Sequence, residues 1–499
     1  MFLAHVSLHL GLTGSFAAQE PPLSRVRRDR RTSPYTCPYM LDTPQAVILA
    51  AGRSTRMASR RSKLLQQLDG RALIHLVLDA VEAAGFSPVV VVPSSDHSVS
   101  AEIGERAVCV PQQQPLGSGD ALRSVPEELR TQGVVLVVNG DLPLLRPGTI
   151  GQLCAERERA AASCALLTAT LEEPSGWGRV VRDREGKVEK ILEERDLEPA
   201  QTALKECNAG VYAFWGAALW PLLSRLTTRN AQGEYYLTEL VELMYPRVTA
   251  ILSDDLGEVQ GVNDREQLAL ASQLLRHRTI RRLMQHGVTI EDPDTTFITS
   301  DVAVGPDTVI HPMTTLGRGV RVGVDCEIGP GARLQGMQVG DRVRIGGSVL
   351  EDSRIGDDVE IGEYVRIRPG TILASSVRVG THAEIKNSSV GDRSRISHFC
   401  SVLDSDVGED VNIGAGVVTC NYDGSTKFRT GIGAGAFIGS DAILVAPVNI
   451  GAGAYVAAGS VITADVSPGA LAVARQRQHE VAGWVERQRA AAHSGRDGS

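Results

Sequence analysis

The sequence predicts two folded domains joined by a helix: an N-terminal α/β domain with a Rossmann-like, mostly parallel sheet, and a C-terminal parallel β-helix of hexapeptide repeats. Three observations predict this fold class. Short apolar runs alternate with helical patterns up to Asn263, a long amphipathic segment follows, and from Asp301 onwards an apolar residue returns at every sixth position. A chain of 499 residues is too long for one core, which agrees with two domains.

The first 43 residues lack the pattern of a folded domain. Their apolar stretch, MFLAHVSLHLGLTG, precedes an arginine-rich run from Arg25 to Arg31, whereas a signal peptide carries its positive charge before the apolar stretch. The stretch is also too short to span a bilayer. We therefore expect residues 1–43 to be a disordered extension, and we expect no membrane partner.

The α/β domain is predicted over residues 44–265. AVILAAG, PVVVVPS and GVVLVVNGD are short, continuous apolar runs, which are typical of parallel strands covered on both faces. ALIHLVLDAVEAAG has apolar residues at helical spacing. Ligands bind at the carboxyl ends of the strands in such sheets. The predicted site therefore lies at residues 52–57 and 139–141, which follow the first and the third of these runs.

The segment REQLALASQLLRHRTIRRLMQHG predicts a linker helix over residues 266–286. The β-helix follows over residues 287–475, and residues 476–499 form a C-terminal tail. No helix or simple strand has a period of six, whereas each unit of a hexapeptide solenoid makes a short strand and a turn with one apolar residue inward. Three strands per coil give a triangular prism. The apolar positions at this spacing are Val304, Ile310, Leu316, Val322, Ile328 and Leu334, then Val349, Ile355, Ile361, Ile367, Leu373, Val379 and Ile385, and finally Ile432, Ile438, Leu444, Ile450, Val456 and Ile462.

Charge and cysteine usage exclude some classes of function. The net charge is −8, which argues against a nucleic-acid partner because such a protein presents a basic face. The eight cysteines never form a C-x-x-C pair, so a zinc ribbon or a redox pair is not expected. Scattered thiols in a long chain indicate a reducing compartment, and we predict a cytoplasmic location.

Motifs in both halves carry a resemblance to one family. LAAGRSTRM, QQQPLGSGDA, NGDLPLL, GWGRVV, NAQGEYYLTELV and VQGVNDR occur in order in the N-terminal half, and RIRPGT, VGTHAEIKN, DVNIGAGVVTCNYDGSTKF and GSDAILVAPV occur in the solenoid. From about residue 44 to Arg475 the chain resembles the bifunctional N-acetylglucosamine-1-phosphate uridylyltransferases and glucosamine-1-phosphate acetyltransferases. The resemblance implies an N-terminal nucleotidyltransferase domain, a left-handed β-helix and a homotrimer. It also implies Mg²⁺ as cofactor and UTP, N-acetylglucosamine 1-phosphate, glucosamine 1-phosphate and acetyl-CoA as substrates.

The residues of the first predicted site suit a reaction between two polyanions, which needs charge neutralisation above all. Arg56 and Lys63 would supply fixed cations, and the backbone from Leu49 to Gly52 can approach the uridine closely because of its glycine. Asp141 would hold Mg²⁺ with Asn263, since hard oxygen ligands suit that ion. The resemblance adds Ala50, Ala51, Gln112, Gly117 and Ser118 to the nucleotide site, and it implies a sugar pocket of Asn139, Gly140, Asp141, Gly178, Glu193, Asn208, Tyr236 and Asn263.

In the solenoid, the candidate general base is His398. Acetylating an amine requires loss of a proton, and histidine titrates in the range for that task. Glu384 could orient the imidazole. The segment TCNYDGSTKFRT interrupts the period of six, and a loop that leaves a solenoid is where binding is expected. The resemblance implies Arg368, Lys386, Ser401, Asn412 and Lys427 for the sugar phosphate, and Ala415, Asn421, Tyr422, Ser440, Ala458 and Arg475 for acetyl-CoA.

Four positions depart from the family pattern: Ser54 replaces a glycine, Ser62 replaces a proline before Lys63, and Asn139 and Ser401 each replace a tyrosine. The predicted function is acetylation of glucosamine 1-phosphate, followed by uridylyl transfer to give UDP-N-acetylglucosamine for cell-wall precursors. Two alternatives stay open at this point. One is a single-function sugar nucleotidyltransferase whose β-helix serves only assembly or regulation, and the other is a scaffold with decayed sites.

Overall fold

The computed structural model describes residues 43–52, 55–95 and 97–494. Apart from Thr43, the predicted N-terminal extension lies outside the described residues. An α/β domain precedes a long helix, and stacked sheets of short parallel strands follow it. The predicted fold class is therefore confirmed.

The N-terminal domain is built on a mixed sheet with strand order β11-β7-β10-β6-β1-β4-β5. Strand β1 is parallel to β4 and β6, β4 is parallel to β5, and β7 is parallel to β11. The exceptions are β10, which is antiparallel to β6, β7 and β8, and the antiparallel pair of β8 and β9. The strands are β1 Gln45–Ala50, β2 Gln67–Leu68, β3 Arg71–Ala72, β4 Val89–Pro93, β5 Val108–Cys109, β6 Val134–Asn139, β7 Cys164–Thr170, β8 Arg179–Arg182, β9 Val188–Leu192, β10 Glu206–Trp215 and β11 Val248–Leu252.

Helices cover both faces of this sheet, which explains why the central strands read as continuous apolar runs. Ala46 and Ile48 of β1 pack into one core, and Val47 of the same strand packs into the other. The helices of the domain are α1 Leu73–Ala83, α2 Ser98–Ile103, α3 Ser118–Arg123, α4 Pro147–Arg159, α5 Gly216–Leu222, α6 Glu239–Met244 and α7 Leu256–Val259.

Helix α8 (Arg265–Gln285) links the two halves of the molecule. Asp264 caps it by accepting a hydrogen bond from the Gln267 amide at 2.8 Å. Near its other end, Arg282 donates to the carbonyls of Ser300 and Val302 in the β-helix. A second contact between the halves lies beside it, where the Asp69 carboxylate in the β2–β3 turn accepts from the Ser300 amide at 3.0 Å.

The β-helix has three faces, each a sheet of parallel strands stacked one coil above another. Face 1 contains β12 Thr289–Ile290, β15 Val309–Ile310, β18 Glu327–Ile328, β21 Arg344–Ile345, β24 Glu360–Ile361, β27 Arg378–Val379, β30 Arg395–Ile396, β33 Asn412–Ile413, β36 Phe437–Ile438, β39 Tyr455–Val456 and β41 Leu471–Ala472. Face 2 contains β13 Phe297–Ile298, β16 Thr315–Leu316, β19 Arg333–Gln335, β22 Val349–Glu351, β25 Arg366–Arg368, β28 Glu384–Lys386, β31 Ser401–Leu403, β34 Val418–Cys420, β37 Ile443–Val445 and β40 Val461–Ile462. Face 3 contains β14 Ala303–Val304, β17 Arg321–Val322, β20 Gln338–Val339, β23 Arg354–Ile355, β26 Ile372–Leu373, β29 Ser389–Val390, β32 Ser405–Val407, β35 Thr430–Ile432 and β38 Val448–Ile450.

The period of six reflects one inward side chain per strand. Ile310, Leu316 and Ile328 are fully buried, and the apolar residues predicted at this spacing join one continuous core, with one exception. The prediction for Val349 is wrong by one residue: Val349 is half-buried, and its neighbour Leu350 takes the inward position of strand β22. Burying each such side chain contributes roughly 1.5–3 kcal/mol. The turns that join face 1 to face 2 are called the first corner below, and those that join face 2 to face 3 are called the second corner.

The chain ends in a feature that the sequence pattern did not predict. Within the predicted C-terminal tail, residues Trp484–Ser494 form helix α9. Among the described residues, no helix is both long and apolar enough to cross a membrane.

Candidate active sites

The carboxyl ends of β1 and β6 lie side by side, with Leu49 and Asn139 as register partners. This adjacency follows from the parallel pairing of the two strands, and it brings together the two segments that the sequence singled out. A cavity of about 490 Å³ opens there. It is lined by all the residues predicted to bind the nucleotide, namely Leu49, Ala50, Ala51, Gly52, Lys63, Gln112, Gly117 and Ser118.

Two glycines shape this cavity in different ways. A Cβ added to Gly52 would meet no atom within 4 Å, so the backbone here faces open space where a ligand can approach. Gly117 has φ +110°, and an added Cβ would lie 2.6 Å from the carbonyl oxygen of Tyr235. Glycine is therefore required at residue 117 both by conformation and by space.

The two side chains predicted to contact the uracil, Gln112 and Ser118, are held by their neighbours. Gln112 is buried, and its amide nitrogen donates to Asp120 at 2.7 Å and to the Gly117 carbonyl at 3.2 Å. The Ser118 hydroxyl accepts from the Leu237 amide at 3.0 Å. These bonds fix Gln112 and Ser118 at the cavity wall before any ligand arrives.

A second cavity of about 290 Å³ adjoins the first and shares Ser118, Asn139 and Asp141 with it. Gly140 and Tyr236 line neither cavity: the Gly140 amide bonds to the Leu49 carbonyl, and the Tyr236 hydroxyl accepts from Gln232. The other sugar-site and triphosphate residues predicted from the sequence line the second cavity, namely Arg56, Asn139, Asp141, Gly178, Glu193, Asn208 and Asn263.

The second cavity is polar and contains a half-buried carboxylate. Burial raises the pKa of Glu193 above its ordinary value, although the Thr238 hydroxyl donates to it at 2.9 Å. The Asn208 amide donates to the Tyr212 hydroxyl at 2.6 Å, which fixes its orientation. A cavity with such fixed acceptors and donors suits a ligand rich in hydroxyl groups.

Lys63 lies where the two cavities meet. Its ammonium group is 2.5 Å from Oδ2 of Asp141 and 2.6 Å from Oδ1 of Asn263. The amide of Val262 bonds to the carbonyl of Asp141, which holds these two segments together. Two oxygen ligands therefore converge on one cation from residues far apart in the sequence.

These two oxygens fit a divalent cation of the hard type. Mg²⁺ is commonly held by one or two carboxylates together with substrate phosphates and waters. Among the described residues, no group of three or more His, Cys, Asp or Glu side chains could hold a metal.

In the β-helix, His398 lies at the first corner in a column of predicted coenzyme residues. The carbonyls of His398, Ala415 and Ser440 accept from the amides of Gly416, Asp441 and Gly459 on the next coil. His398, Ala415, Ser440 and Ala458 therefore occupy the same place on successive coils. Arg475 lies beside the end of this column. Its Cδ is 3.9 Å from the position that a Cβ added to Gly459 would occupy.

The imidazole of His398 is oriented by a different residue from the one predicted. Nδ1 of His398 contacts the Thr381 amide at 3.1 Å and the Thr381 hydroxyl at 3.2 Å. Glu384 instead accepts from Arg368 at 2.9 Å. Within residues 97–494, no hydrogen bond joins Glu384 to His398. Thr381 occupies the corner position one coil before His398, which explains the contact.

Face 2 brings together four of the predicted acetyltransferase residues, Arg368, Glu384, Lys386 and Ser401. Arg368 pairs in register with Lys386, and Glu384 pairs with Ser401. The ammonium group of Lys427 approaches that of Lys386, and this contact, with some help from burial, holds the pKa of Lys386 below its ordinary value. Two ammonium groups in contact repel each other, and an anion bound beside them would offset that repulsion.

Asn412 does not join this cluster within one chain. It lies on β33 of face 1, in register with Arg395 and Phe437, whereas Arg368 and Lys386 lie on face 2. Outer side chains on neighbouring faces of a prism point in different directions. A single chain therefore does not gather the whole predicted sugar-phosphate set.

Comparison with known proteins agrees with this arrangement. A MobA-like NTP transferase domain model matches residues 46–243, and a GMPPB C-terminal domain model matches residues 294–379. The bifunctional protein GlmU of Heliobacterium modesticaldum is 45% identical over 440 residues, covering 87% of this chain and 95% of that protein. The bifunctional protein GlmU of Pelotomaculum thermopropionicum is 47% identical over 450 residues, covering 89% and 98%.

The chain belongs to the bifunctional GlmU family. This membership confirms the family resemblance and the class of bifunctional enzyme predicted from the sequence. The match extends through both domains, so both of the sites described above lie within the shared length.

Sequence reasoning missed several residues of this chain that line or support the sites. Glu234 lines the nucleotide cavity, and it lies inside the quoted motif NAQGEYY, so the motif itself could have indicated it. Arg378 and Arg395 line a groove of about 450 Å³ on face 1 that ends at His398. These arginines could have been found as polar residues one coil apart.

Proposed function

We propose that the chain converts glucosamine 1-phosphate, acetyl-CoA and UTP into UDP-N-acetylglucosamine, CoA and pyrophosphate. Acetylation comes first on the β-helix, and uridylyl transfer follows in the α/β domain. The observation that carries this proposal is the convergence of Lys63, Asp141 and Asn263 at the junction of two cavities, with a separate histidine site on the solenoid.

In the uridylyl step, the larger cavity would bind UTP and the smaller cavity N-acetylglucosamine 1-phosphate. The sugar phosphate would then attack the α-phosphorus at the junction, where Lys63 and Arg56 neutralise the charge of the two phosphate groups. Mg²⁺ held by Asp141 and Asn263 would screen the triphosphate and polarise its oxygens. Gln112 and Ser118 hold the base, and Glu193 accepts from a sugar hydroxyl.

In the acetyl step, the coenzyme would lie along the first corner, over Ala458, Ser440 and Ala415, with its thioester beside His398. The imidazole takes the proton from the amine of glucosamine 1-phosphate as nitrogen attacks the thioester carbon. Thr381 would then hold the imidazole, a role that the sequence assigned to Glu384. Glu384 would instead keep Arg368 in place for the sugar phosphate, next to Lys386 and Lys427.

The division of the acceptor residues between faces supports a homotrimer. Face 1 of one subunit, with Asn412, can meet face 2 of the next, with Arg368 and Lys386. Phe437 and Tyr455 stack on face 1 with ring centroids 5.3 Å apart, yet they are 41% and 54% exposed in one chain. Exposed aromatic residues are enriched in subunit contacts. Each acetyltransferase site of the trimer would thus combine side chains of different subunits.

A cytoplasmic location is part of the proposal. The seven cysteines among the described residues are all free thiols, as expected in a reducing compartment.

Two incubations test the function, and the first contains all three substrates. Purified protein receives the three substrates with Mg²⁺, and mass spectrometry follows N-acetylglucosamine 1-phosphate and UDP-N-acetylglucosamine over time. The proposal predicts that the acetylated sugar phosphate appears first and the nucleotide sugar second. The second incubation contains N-acetylglucosamine 1-phosphate, UTP and Mg²⁺. A protein that forms the nucleotide sugar only in this second incubation would favour the single-function alternative, and one that forms no product in either would favour a scaffold.

A further inference from the structure

The loop that interrupts the period of six, residues 421–429, is ordered by its own hydrogen bonds. We call it the insertion loop. Oδ1 of Asp423 accepts from the amides of Ser425 and Thr426 at 2.8 and 2.7 Å, and the Phe428 amide bonds to the Asn421 carbonyl at 2.8 Å. These backbone bonds hold the pKa of Asp423 below its ordinary value. The loop therefore keeps its shape independently of what holds its ends.

The first end of the insertion loop is tied to Asp404 at the second corner. Asp404 is buried, and its backbone is in the left-handed region, with φ +47°. Aspartate tolerates this conformation better than most residues. Its two carboxylate oxygens accept from the amides of Asn421 and Asn387, the latter at 2.6 Å. Burial opposes its ionisation, but these amides and the nearby lysines keep the pKa of Asp404 below its ordinary value.

The second end is tied to Asp406, two residues further along. Nε and Nη2 of Arg429 donate to the two carboxylate oxygens of Asp406 at 2.7 and 2.6 Å. The remaining Arg429 nitrogen donates to the Asn387 carbonyl at 3.2 Å. A bidentate pair of this kind fixes orientation as well as distance.

We propose that Asp404 and Asp406 are positioning residues that hold the two ends of the insertion loop and thereby place Tyr422 and Lys427 in the acetyltransferase site. The inference rests on the proposed acetyltransferase function. Because the loop is ordered within itself, releasing one end tilts it as a unit instead of unfolding it. Tilting moves Lys427 away from Lys386 and Tyr422 away from the coenzyme, while His398 stays in place at the first corner.

Asp406→Ala is the main test, and Asp358→Ala is its matched control. Asp358 makes the same bidentate bond with Arg342 across adjacent coils, with similar exposure, but it lies outside both candidate sites. If the released loop adopts the bound orientation a tenth of the time, the KM for acetyl-CoA rises about tenfold. The turnover number should stay within about threefold, because the proton-accepting imidazole is untouched. Asp358→Ala should change neither constant.

The charge swap Asp406→Arg with Arg429→Asp distinguishes positioning from general stability. It restores an ion pair of reversed polarity, and we expect it to bring the KM for acetyl-CoA back to within about threefold of wild type. Asp404→Asn keeps the shape of the side chain, but its new NH₂ group faces one of the two amide groups that donate to Asp404. We expect this substitution also to raise the KM for acetyl-CoA. Unchanged KM values in both Asp406→Ala and Asp404→Asn would overturn the proposal, as would a charge swap that rescues nothing.

Hydrogen exchange gives a readout that does not depend on activity. The Thr430 amide, which donates to the Asp404 carbonyl at the base of the loop, should exchange faster in Asp406→Ala than in wild type or in Asp358→Ala, whereas the internally bonded amides of Ser425 and Thr426 should exchange as in wild type. Unchanged exchange would overturn the claim that Asp406 holds the loop. Faster exchange with an unchanged KM would overturn the claim that this attachment matters for the acetyltransferase site. Should the wild-type protein neither bind acetyl-CoA nor acetylate the sugar, the proposed function fails, while the exchange measurement still decides whether the two aspartates hold the loop.

Discussion

Replacing Asp141 with asparagine tests the junction of the two cavities. The substitution keeps the size of the side chain and one acceptor oxygen but removes one negative charge 2.5 Å from the Lys63 ammonium. At an effective dielectric constant of about 20, two charges at this separation attract by roughly 6–7 kcal/mol before desolvation is subtracted. Both side chains are largely buried, so much of that attraction is offset by their lost hydration.

The expected loss in uridylyl turnover is about 10²–10³-fold, or ~2.7–4 kcal/mol, the usual scale for removing one electrostatic group from an active site. Acetyl transfer should change less than about twofold, because its residues lie on the β-helix. Pyrophosphate release from UTP and N-acetylglucosamine 1-phosphate measures the first activity. Thiol release from acetyl-CoA measures the second.

Asp79→Asn is the control for this prediction. Asp79 pairs with Arg71 and Arg106 on the surface of the same domain and lines neither cavity. It should leave both activities intact. If Asp141→Asn retains more than a third of wild-type uridylyl turnover, or if a folded variant loses both activities equally, the assignment of the junction is wrong.

Three further substitutions give distinct signatures. His398→Ala should lower acetyl-transfer turnover by about 10²–10⁴-fold with uridylyl transfer unchanged, and near wild-type acetylation would return His398 to a structural role. Lys427→Met removes the contact that lowers the pKa of Lys386, so Lys386 should stay charged to higher pH. The ratio of variant to wild-type KM for glucosamine 1-phosphate should therefore fall as pH rises, and a ratio independent of pH would contradict this. Gly117→Ala should raise the KM for UTP about tenfold or more because of its clash with Tyr235, whereas Gly186→Ala, with φ +81° and open space around it, should cost only the strain of about 1–2 kcal/mol in stability. Equal KM values in these two variants would refute the steric argument.

The β-helix could be predicted from the sequence because its rule is local. Each inward residue such as Ile310 or Leu316 recurs at a fixed spacing, and its burial follows from that spacing alone. The same holds for β1 and β6, whose continuous apolar runs imply burial on both faces. Since parallel strands end at the same edge of a sheet, the meeting of Leu49 with Asn139 also followed.

The rest depends on contacts between residues distant in sequence. The antiparallel insertion of β10 between β6 and β7 has no signal in its own residues. Lys63 lies 78 residues from Asp141 and 200 from Asn263, so no local pattern predicts their meeting at one point, and only the family resemblance implied it. His398 contacts Thr381 instead of Glu384 because His398 and Thr381 lie at the first corner on successive coils. Counting residues along a single strand does not reveal this relation.

Asp404 is an intermediate case. It lies 17 residues from both Asn387 and Asn421, which is one coil in this part of the β-helix. Comparing residues one coil apart would have placed the three polar side chains in a column. The hydrogen bonds between them still required the left-handed backbone at the second corner, which only the structure shows.

The central claim is that one chain carries two independent sites that act in sequence. Mixing Asp141→Asn with His398→Ala tests it most directly, in the presence of glucosamine 1-phosphate, acetyl-CoA, UTP and Mg²⁺. Each variant alone should form UDP-N-acetylglucosamine at about 1% of the wild-type rate or less, given the losses expected for one missing group. The mixture should recover to within several-fold of wild type, because acetylated sugar phosphate made by the first variant diffuses to the second. A mixture no more active than the separate variants would contradict the account.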